Sequence, residues 1–243
     1  MDPITNRQGE RIDYTYHHGA AGSKDIVVIG HGVTGNKDRP FVVALAEALA
    51  KSGISTLRFS FSGNGSSGGK FTESTISKEV EDLGSVMEAL HGRRIAYAGH
   101  SMGGAVGVLR ASRDERIRIL ISLAGMVHTK AFAEREFGSV KAGEGFMWDD
   151  PKCPLSQTYM EDTGRIGSVQ DRAADIHVPW LLVHGTEDDV VPLQDSLDIF
   201  ARANQPKELC RLDGAGHVFA GQATQRMIDA VVPWVKTRFQ QLA

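Results

Sequence analysis

At 243 residues the chain is long enough for one α/β domain with a modest insertion, or at most two small domains. Hydrophobic residues make up 41% and charged residues 23%, enough apolar material to bury a core without metals or disulfides. A formal net charge of -3 with no basic block gives no electrostatic reason to expect nucleic acid or an anionic membrane surface as partner.

The chain opens with a polar stretch, not with a cationic start and an apolar run, and no segment approaches the roughly 18 apolar residues of a membrane span. Neither cysteine, Cys153 or Cys210, sits in metal-type spacing with histidine. Two reduced thiols suit a cytoplasmic protein, which is the expected localisation, with no metal and no organic cofactor.

From the N-terminus, residues around Ile4–Tyr16 suggest an antiparallel strand pair at a sheet edge. Short apolar runs then alternate with helical patterns, as in parallel βα units. Strands are predicted at Asp25–Gly30, Ile54–Phe61, Arg94–Ala98, Arg118–Leu123, Val178–Val183 and Lys207–Leu212. Helices are predicted at Pro40–Ser52, Ser74–His91, Met102–Ser112, Leu193–Asn204 and Gln222–Phe239. The stretch 126–177 breaks the rhythm: it has no clear strand, and it carries Phe132, Phe137, Phe146, Trp148 and Tyr159. An interval this long between strands reads as a lid or binding segment. The alternative is a pair of surface helices whose aromatics pack down on the sheet.

Gly-x-Ser-x-Gly occurs twice, and context separates the copies. Gly65 to Gly69 follows a strand, but Lys70–Glu73 intervenes before the next helical pattern, so Ser67 reads as part of a glycine loop. Gly99-His100-Ser101-Met102-Gly103 lies directly between a strand and a small-residue helix. A nucleophilic serine needs that tight turn, small neighbours two residues away, and helix N–H groups aimed at the reacting oxygen. Ser101 is therefore the predicted nucleophile.

A serine hydroxyl needs a base, and the base needs an orienting acid. The strand Val178–Val183 runs into a loop with three competing carboxylates, Glu187, Asp188 and Asp189. Sites of open α/β sheets lie at such strand ends. After the last strand, His217 sits on a glycine-rich loop with a helix following, which makes it the predicted base. His100 and His184 belong to turns around the site and are read as holding loops. His128, just after Arg118–Leu123, is a candidate substrate contact. The order Ser, Asp, His matches α/β hydrolases and not chymotrypsin- or subtilisin-type enzymes.

His31-Gly32, the Gly99–Gly103 motif, the His184–Pro192 run and Gly216-His217 together resemble the α/β-hydrolase superfamily, in the expected order over most of the chain. Within it the chain is similar to small bacterial cinnamoyl/feruloyl-type esterases and serine aminopeptidase-like hydrolases. The likeness rests on HGVTGNKD, RFSFSGNGSSGG and HGTEDDVVP. It implies an α/β-hydrolase fold over residues 1–243, a mostly parallel central sheet flanked by helices, with a cap inserted at 126–177 after the sixth core strand. It favours Asp188 as the triad acid and implies backbone N–H groups of Val33 and Met102 as the oxyanion hole. Many relatives carry Asp and His where this chain has Ser60 and Asn64, which weakens the feruloyl inference.

The expected function is cleavage of short-chain or aryl carboxylic esters through an acyl-enzyme, with Phe132, Phe137, Phe146, Trp148, Tyr159 and His128 as candidate substrate contacts. A thioesterase, a short-peptide hydrolase or a carbon–carbon bond hydrolase would use the same triad. An inactive hydrolase serving as a binding module is the reading from a different class. The sequence gives no oligomeric state.

Overall fold

The computed structural model describes residues 2–242. In chain order the strands are β1 (Ile4–Thr5), β2 (Arg11–Ile12), β3 (Tyr14–His17), β4 (Asp25–Gly30), β5 (Ser55–Phe59), β6 (Arg94–His100), β7 (Ile117–Leu123), β8 (Trp180–Gly185) and β9 (Lys207–Leu212). The helices are α1 (Pro40–Lys51), α2 (Ile76–Ala89), α3 (Met102–Ala111), α4 (Thr129–Phe137), α5 (Gln157–Ile166), α6 (Leu193–Arg202) and α7 (Gln222–Gln241). Every predicted element is present, with ends displaced by at most two residues. At the N-terminus β1 and β2 form their own antiparallel pair, while β3 joins the edge of the large sheet antiparallel to β5.

The large sheet has the order β3-β5-β4-β6-β7-β8-β9, and all its pairings after β3 are parallel. A sheet covered on both faces should send alternate residues into two cores, and this one does. Ile26 and Val28 of β4 pack with Tyr97, Leu120 and Trp180 beneath α2 and α3. Val27 and Ile29 pack on the opposite face with Ala96, Ile121 and Val183 beneath α1 and α7. This is the α/β-hydrolase fold. The C-terminal ends of β4, β6, β8 and β9 deliver His31, Ser101, Asp188 and His217 to one edge, where open α/β sheets carry their sites.

The interval 126–177 follows β7, the fifth strand of the large sheet in chain order. It is not the sixth, as expected, because only one of the three N-terminal strands enters that sheet. It holds α4, α5 and short 3-10 helices at Met147–Asp149 and Gln170–Asp175. Among the described residues no helix is long and apolar enough to cross a membrane.

One buried acid sets a pH-dependent stability. Glu79 on α2 is 1% exposed; its Oε1 accepts from Ser74 Oγ at 3.2 Å, and its Oε2 has no hydrogen-bond partner among the described residues. Burial, then the charge of Asp82, pushes the Glu79 carboxyl well above the ordinary carboxylate range. The unfolded chain releases this proton near the usual value and the fold retains it. Stability therefore falls as pH rises from about 4.5 towards the folded-state value, by about 1.4 kcal/mol per pH unit for one proton. Glu79→Gln is expected to raise the melting temperature at pH 8 more than at pH 5. A difference in melting temperature that stays constant across that range would show the carboxylate to be ionised in the fold.

Candidate active site

Ser101 stands between β6 and α3 with φ 54° and ψ -120°, a conformation that costs a non-glycine residue about 1–3 kcal/mol. The surrounding glycines make that turn possible. A Cβ on Gly99 would lie 2.1 Å from the Gly103 carbonyl oxygen, and one on Gly103 would lie 2.5 Å from that of His31. The turn is anchored on both sides: Ser101 N–H donates to Leu123 O at 3.0 Å, and Met126 N–H donates to Ser101 O at 2.9 Å. Ser101 is 2% exposed and lines a cavity of about 310 Å³ together with His217.

His217 is held by Asp188. Its Nδ1 lies 2.8 Å from Asp188 Oδ2, and since a carboxylate only accepts, Nδ1 carries a proton and Nε2 is the nitrogen turned away from the acid. Asp188 has a fully buried side chain and three further donors. Its Oδ1 accepts from Val190 N–H at 3.0 Å and Val191 N–H at 2.8 Å, and His184 Nε2 lies 3.3 Å from Oδ2. Burial alone would push this carboxyl up; hydrogen bonds from His184 and His217 outweigh it and hold the group well below the ordinary carboxylate range. The neighbouring Glu187 and Asp189 are exposed, so burial separates the three competing carboxylates. Among the described residues no hydrogen bond joins Ser101 Oγ to the imidazole, a contact that in such enzymes often tightens only as substrate binds.

His184 and His100 hold loops, as expected. His184 Nδ1 accepts from Ser196 Oγ at 2.7 Å, while Nε2 donates to Val191 O at 2.9 Å, so this ring braces the turn that carries Asp188. His100 Nε2 donates to His217 O at 3.0 Å, and the two rings pack with centroids 4.6 Å apart. Burial, and then the charge of His217, keeps His100 well below the ordinary imidazole range, so it stays neutral.

On the facing loop, Gly32 approaches the serine so closely that a Cβ there would lie 2.7 Å from Ser101 Cβ. Val33 lines the cavity, and its N–H donates to no protein group among the described residues. Met102 opens α3, where first-turn N–H groups have no partner within the helix. His31 secures this loop. Its Nε2 accepts from Phe61 N–H at 3.0 Å, so Nδ1 carries the proton and donates to Gly32 O at 2.8 Å. Burial pulls the His31 imidazole down to about 4, and the bridge stays neutral above that pH. Ser60 and Asn64 support the same region: Ser60 Oγ accepts from Lys37 N–H at 3.1 Å, and Asn64 Nδ2 donates to Ser74 Oγ at 3.0 Å. Ser67 is a tie between loops, donating to Ser60 O at 2.6 Å and accepting from Asp13 N–H at 2.8 Å.

Of the six side chains expected to touch substrate, only Trp148 lines the cavity. Phe132, Phe137 and Tyr159 are at most 2% exposed and belong to the core beneath the cap, because α4 and α5 pack on each other and bring these rings together. Phe146 is exposed and does not line the cavity. His128 lies outside it too: its Nε2 is 2.8 Å from Asp198 Oδ2 and its Nδ1 is 3.2 Å from Ser168 Oγ, a tie between α6 and the end of the cap. Sequence reasoning missed Arg39, Phe41, Val190 and Val218, which do line it. Their signal was position, each lying within a few residues of a site loop already identified. Among the described residues no group of three or more His, Cys, Asp or Glu side chains is placed to hold a metal ion.

Comparison with known proteins places the chain among α/β hydrolases. An uncharacterized protein of Mycobacterium tuberculosis is 30% identical over 223 residues, covering 88% of this chain and 70% of that one. The human alpha/beta hydrolase domain-containing protein 17B is 26% identical over 215 residues, covering 86% and 66%. In structure, Est1E from Butyrivibrio proteoclasticus with ferulic acid bound superposes with a TM-score of 0.85 at 23% identity, over 99% of this chain and all of that one. A monoacylglycerol lipase from Paleococcus ferrophilus gives 0.75 at 21% identity, over 93% and 99%. Residues 21–142 and 152–222 match the family described as serine aminopeptidase, S33. The chain belongs to that family of α/β hydrolases.

Proposed function

We propose that this protein is a serine esterase that cleaves short-chain or aryl carboxylic esters through an acyl-enzyme. The observation that carries the reading is a strained serine sharing a cavity with an imidazole whose other nitrogen is fixed on a buried carboxylate. In this mechanism Ser101 Oγ attacks the ester carbonyl carbon while His217 Nε2 takes its proton. Asp188 stays ionised and stabilises the imidazolium. The tetrahedral oxygen is met by the N–H groups of Val33 and Met102, each such donor being worth roughly 3–4 kcal/mol in comparable enzymes. The alcohol leaves with the proton from His217, and water releases the acyl group by the same path.

The cavity supports a small acyl group. Its volume of about 310 Å³ is near the lower end for ligand sites, and Val33, Phe41, Trp148, Val190 and Val218 give it apolar walls. The aryl side of the reading draws support from the ferulic acid held by Est1E. The family description names aminopeptidases, yet such an enzyme must hold its substrate's α-ammonium group. Among the described residues no acidic side chain lines this cavity, and the one permanent charge there is Arg39, which repels an ammonium. That favours an ester over an N-terminal amide.

A fluorophosphonate probe followed by a substrate panel tests the reading. The probe is expected to label Ser101. Hydrolysis of nitrophenyl esters is expected to fall with acyl length and to exceed that of an aminoacyl amide and an acyl thioester. Preference for the thioester or amide over every ester would overturn the substrate class, and absence of labelling would overturn the mechanism.

A further inference from the structure

The cavity over Ser101 carries a cation without a counter-ion. Arg39 immediately precedes α1 and lines the wall beside Val33 and Thr34. Its Nη2 donates to Thr34 O at 3.2 Å, which ties the guanidinium to the turn carrying Val33. That carbonyl is neutral, and no carboxylate pairs with Arg39 among the described residues. The adjacent acid, Asp38, is taken by Lys37 and Arg58. Asp188 lies fully buried on the far side of His217.

Several other guanidinium groups are matched to acids, though Arg11 and Arg226, like Arg39, bond neutral carbonyl oxygens and differ from it in not lining the cavity over Ser101. Arg94 pairs with Asp25, Arg110 and Arg116 with Asp114, and Arg165 with Asp162. Arg39 is itself exposed, and it lines the same concave cavity as Ser101 and the apolar Val33, Phe41 and Trp148, within reach of a substrate held there. A guanidinium presents its N–H groups in a planar fork that fits a carboxylate through two parallel hydrogen bonds. We propose that Arg39 determines specificity, selecting esters that carry a second, ionised carboxylate a few atoms from the scissile bond. This rests on the esterase reading above and narrows its substrate class. The carboxylate can belong to the acyl part, as in a half-ester of a dicarboxylic acid, or to the alcohol part.

Two substrate pairs separate these sources. On the acyl side, mono-para-nitrophenyl glutarate is compared with para-nitrophenyl pentanoate. On the alcohol side, meta-carboxyphenyl butanoate is compared with its carbamoyl counterpart. Rates are corrected with the S101A protein as background. Taking the ratio of kcat/KM values, anionic over neutral, cancels intrinsic reactivity and any general damage to the site. R39M is expected to lower that ratio about tenfold in at least one pair, with R39K retaining part of it, as loss of one charge-assisted contact implies. Added salt is expected to lower the ratio for the native protein and not for R39M. A ratio unchanged by R39M in both pairs would overturn the proposal. With fluorophosphonate labelling intact, that outcome would leave the esterase reading standing. If the native protein neither reacts with the probe nor turns over any of the four esters, the esterase reading fails and takes this inference with it.

Discussion

Ser101→Ala is expected to lower kcat on the best ester by roughly five to six orders of magnitude, as measured losses of a nucleophilic serine suggest. The fold should persist, since the hydroxyl forms no hydrogen bond among the described residues and the turn is anchored through the backbone. A companion variant separates chemistry from backbone strain. Ser101 holds a positive φ of 54° that alanine would share, whereas glycine adopts such conformations freely. Ser101→Gly should therefore be as inactive as the alanine variant, yet more stable than the native protein by about 1 kcal/mol. Thermal melting checks the stability, and single-turnover kinetics checks for residual chemistry. An alanine variant keeping more than about 1% of native kcat would remove Ser101 from the mechanism, given the losses expected.

Asp188→Asn carries the second large expectation. The asparagine keeps the shape of the carboxylate but can turn an N–H towards His217 Nδ1. The ring would then carry its proton on Nε2, where the serine's proton must go. A loss of about 10⁴ in kcat is expected, by analogy with the same exchange in a serine protease. The variant should also lose stability, because Val190 N–H, Val191 N–H and His184 now share an ionised acceptor inside the fold. The native carboxyl lies below the ordinary range, so its stabilisation is present above about pH 4 and fades as pH falls towards the folded-state value. The stability gap between native and variant proteins should accordingly narrow in acid, which a melting series from neutral to low pH would record. Unchanged turnover at pH 7 would mean that His217 takes its orientation from elsewhere.

What the sequence made legible follows from how local each signal is. The turn at Ser101 is encoded within five residues, because Gly99 and Gly103 must be small to let backbone pass close by. The parallel strands could be read from apolar runs, since both faces of the sheet are covered. Asp188 was harder. Three acids stand in a row, and only the fold buries one of them against two histidines. The cap aromatics misled because composition does not say which way an amphipathic helix faces. Phe132, Phe137 and Tyr159 proved to be core, whereas Trp148 reaches the cavity from a backbone with a positive φ of 48°. His128 has its acid partner 70 residues away on α6, beyond any local pattern. Arg39 was hidden for the opposite reason: an arginine before a helix is unremarked until its missing partner becomes visible in three dimensions.

The bonds that fix Ser101, Asp188 and His217 come from the ends of β6 to β9 and the turns between them, and none comes from residues 138–156. Among the described residues that tongue reaches the cavity through Trp148 alone, whose indole N–H donates to Glu136 at 3.0 Å. The geometry of Ser101, Asp188 and His217 is thus held independently of the tongue, while Val33, Arg39, Val190 and Val218, borne on or beside the site loops, supply most of the cavity wall. Shortening the tongue would strip one wall from the cavity and leave the bonds beneath it in place.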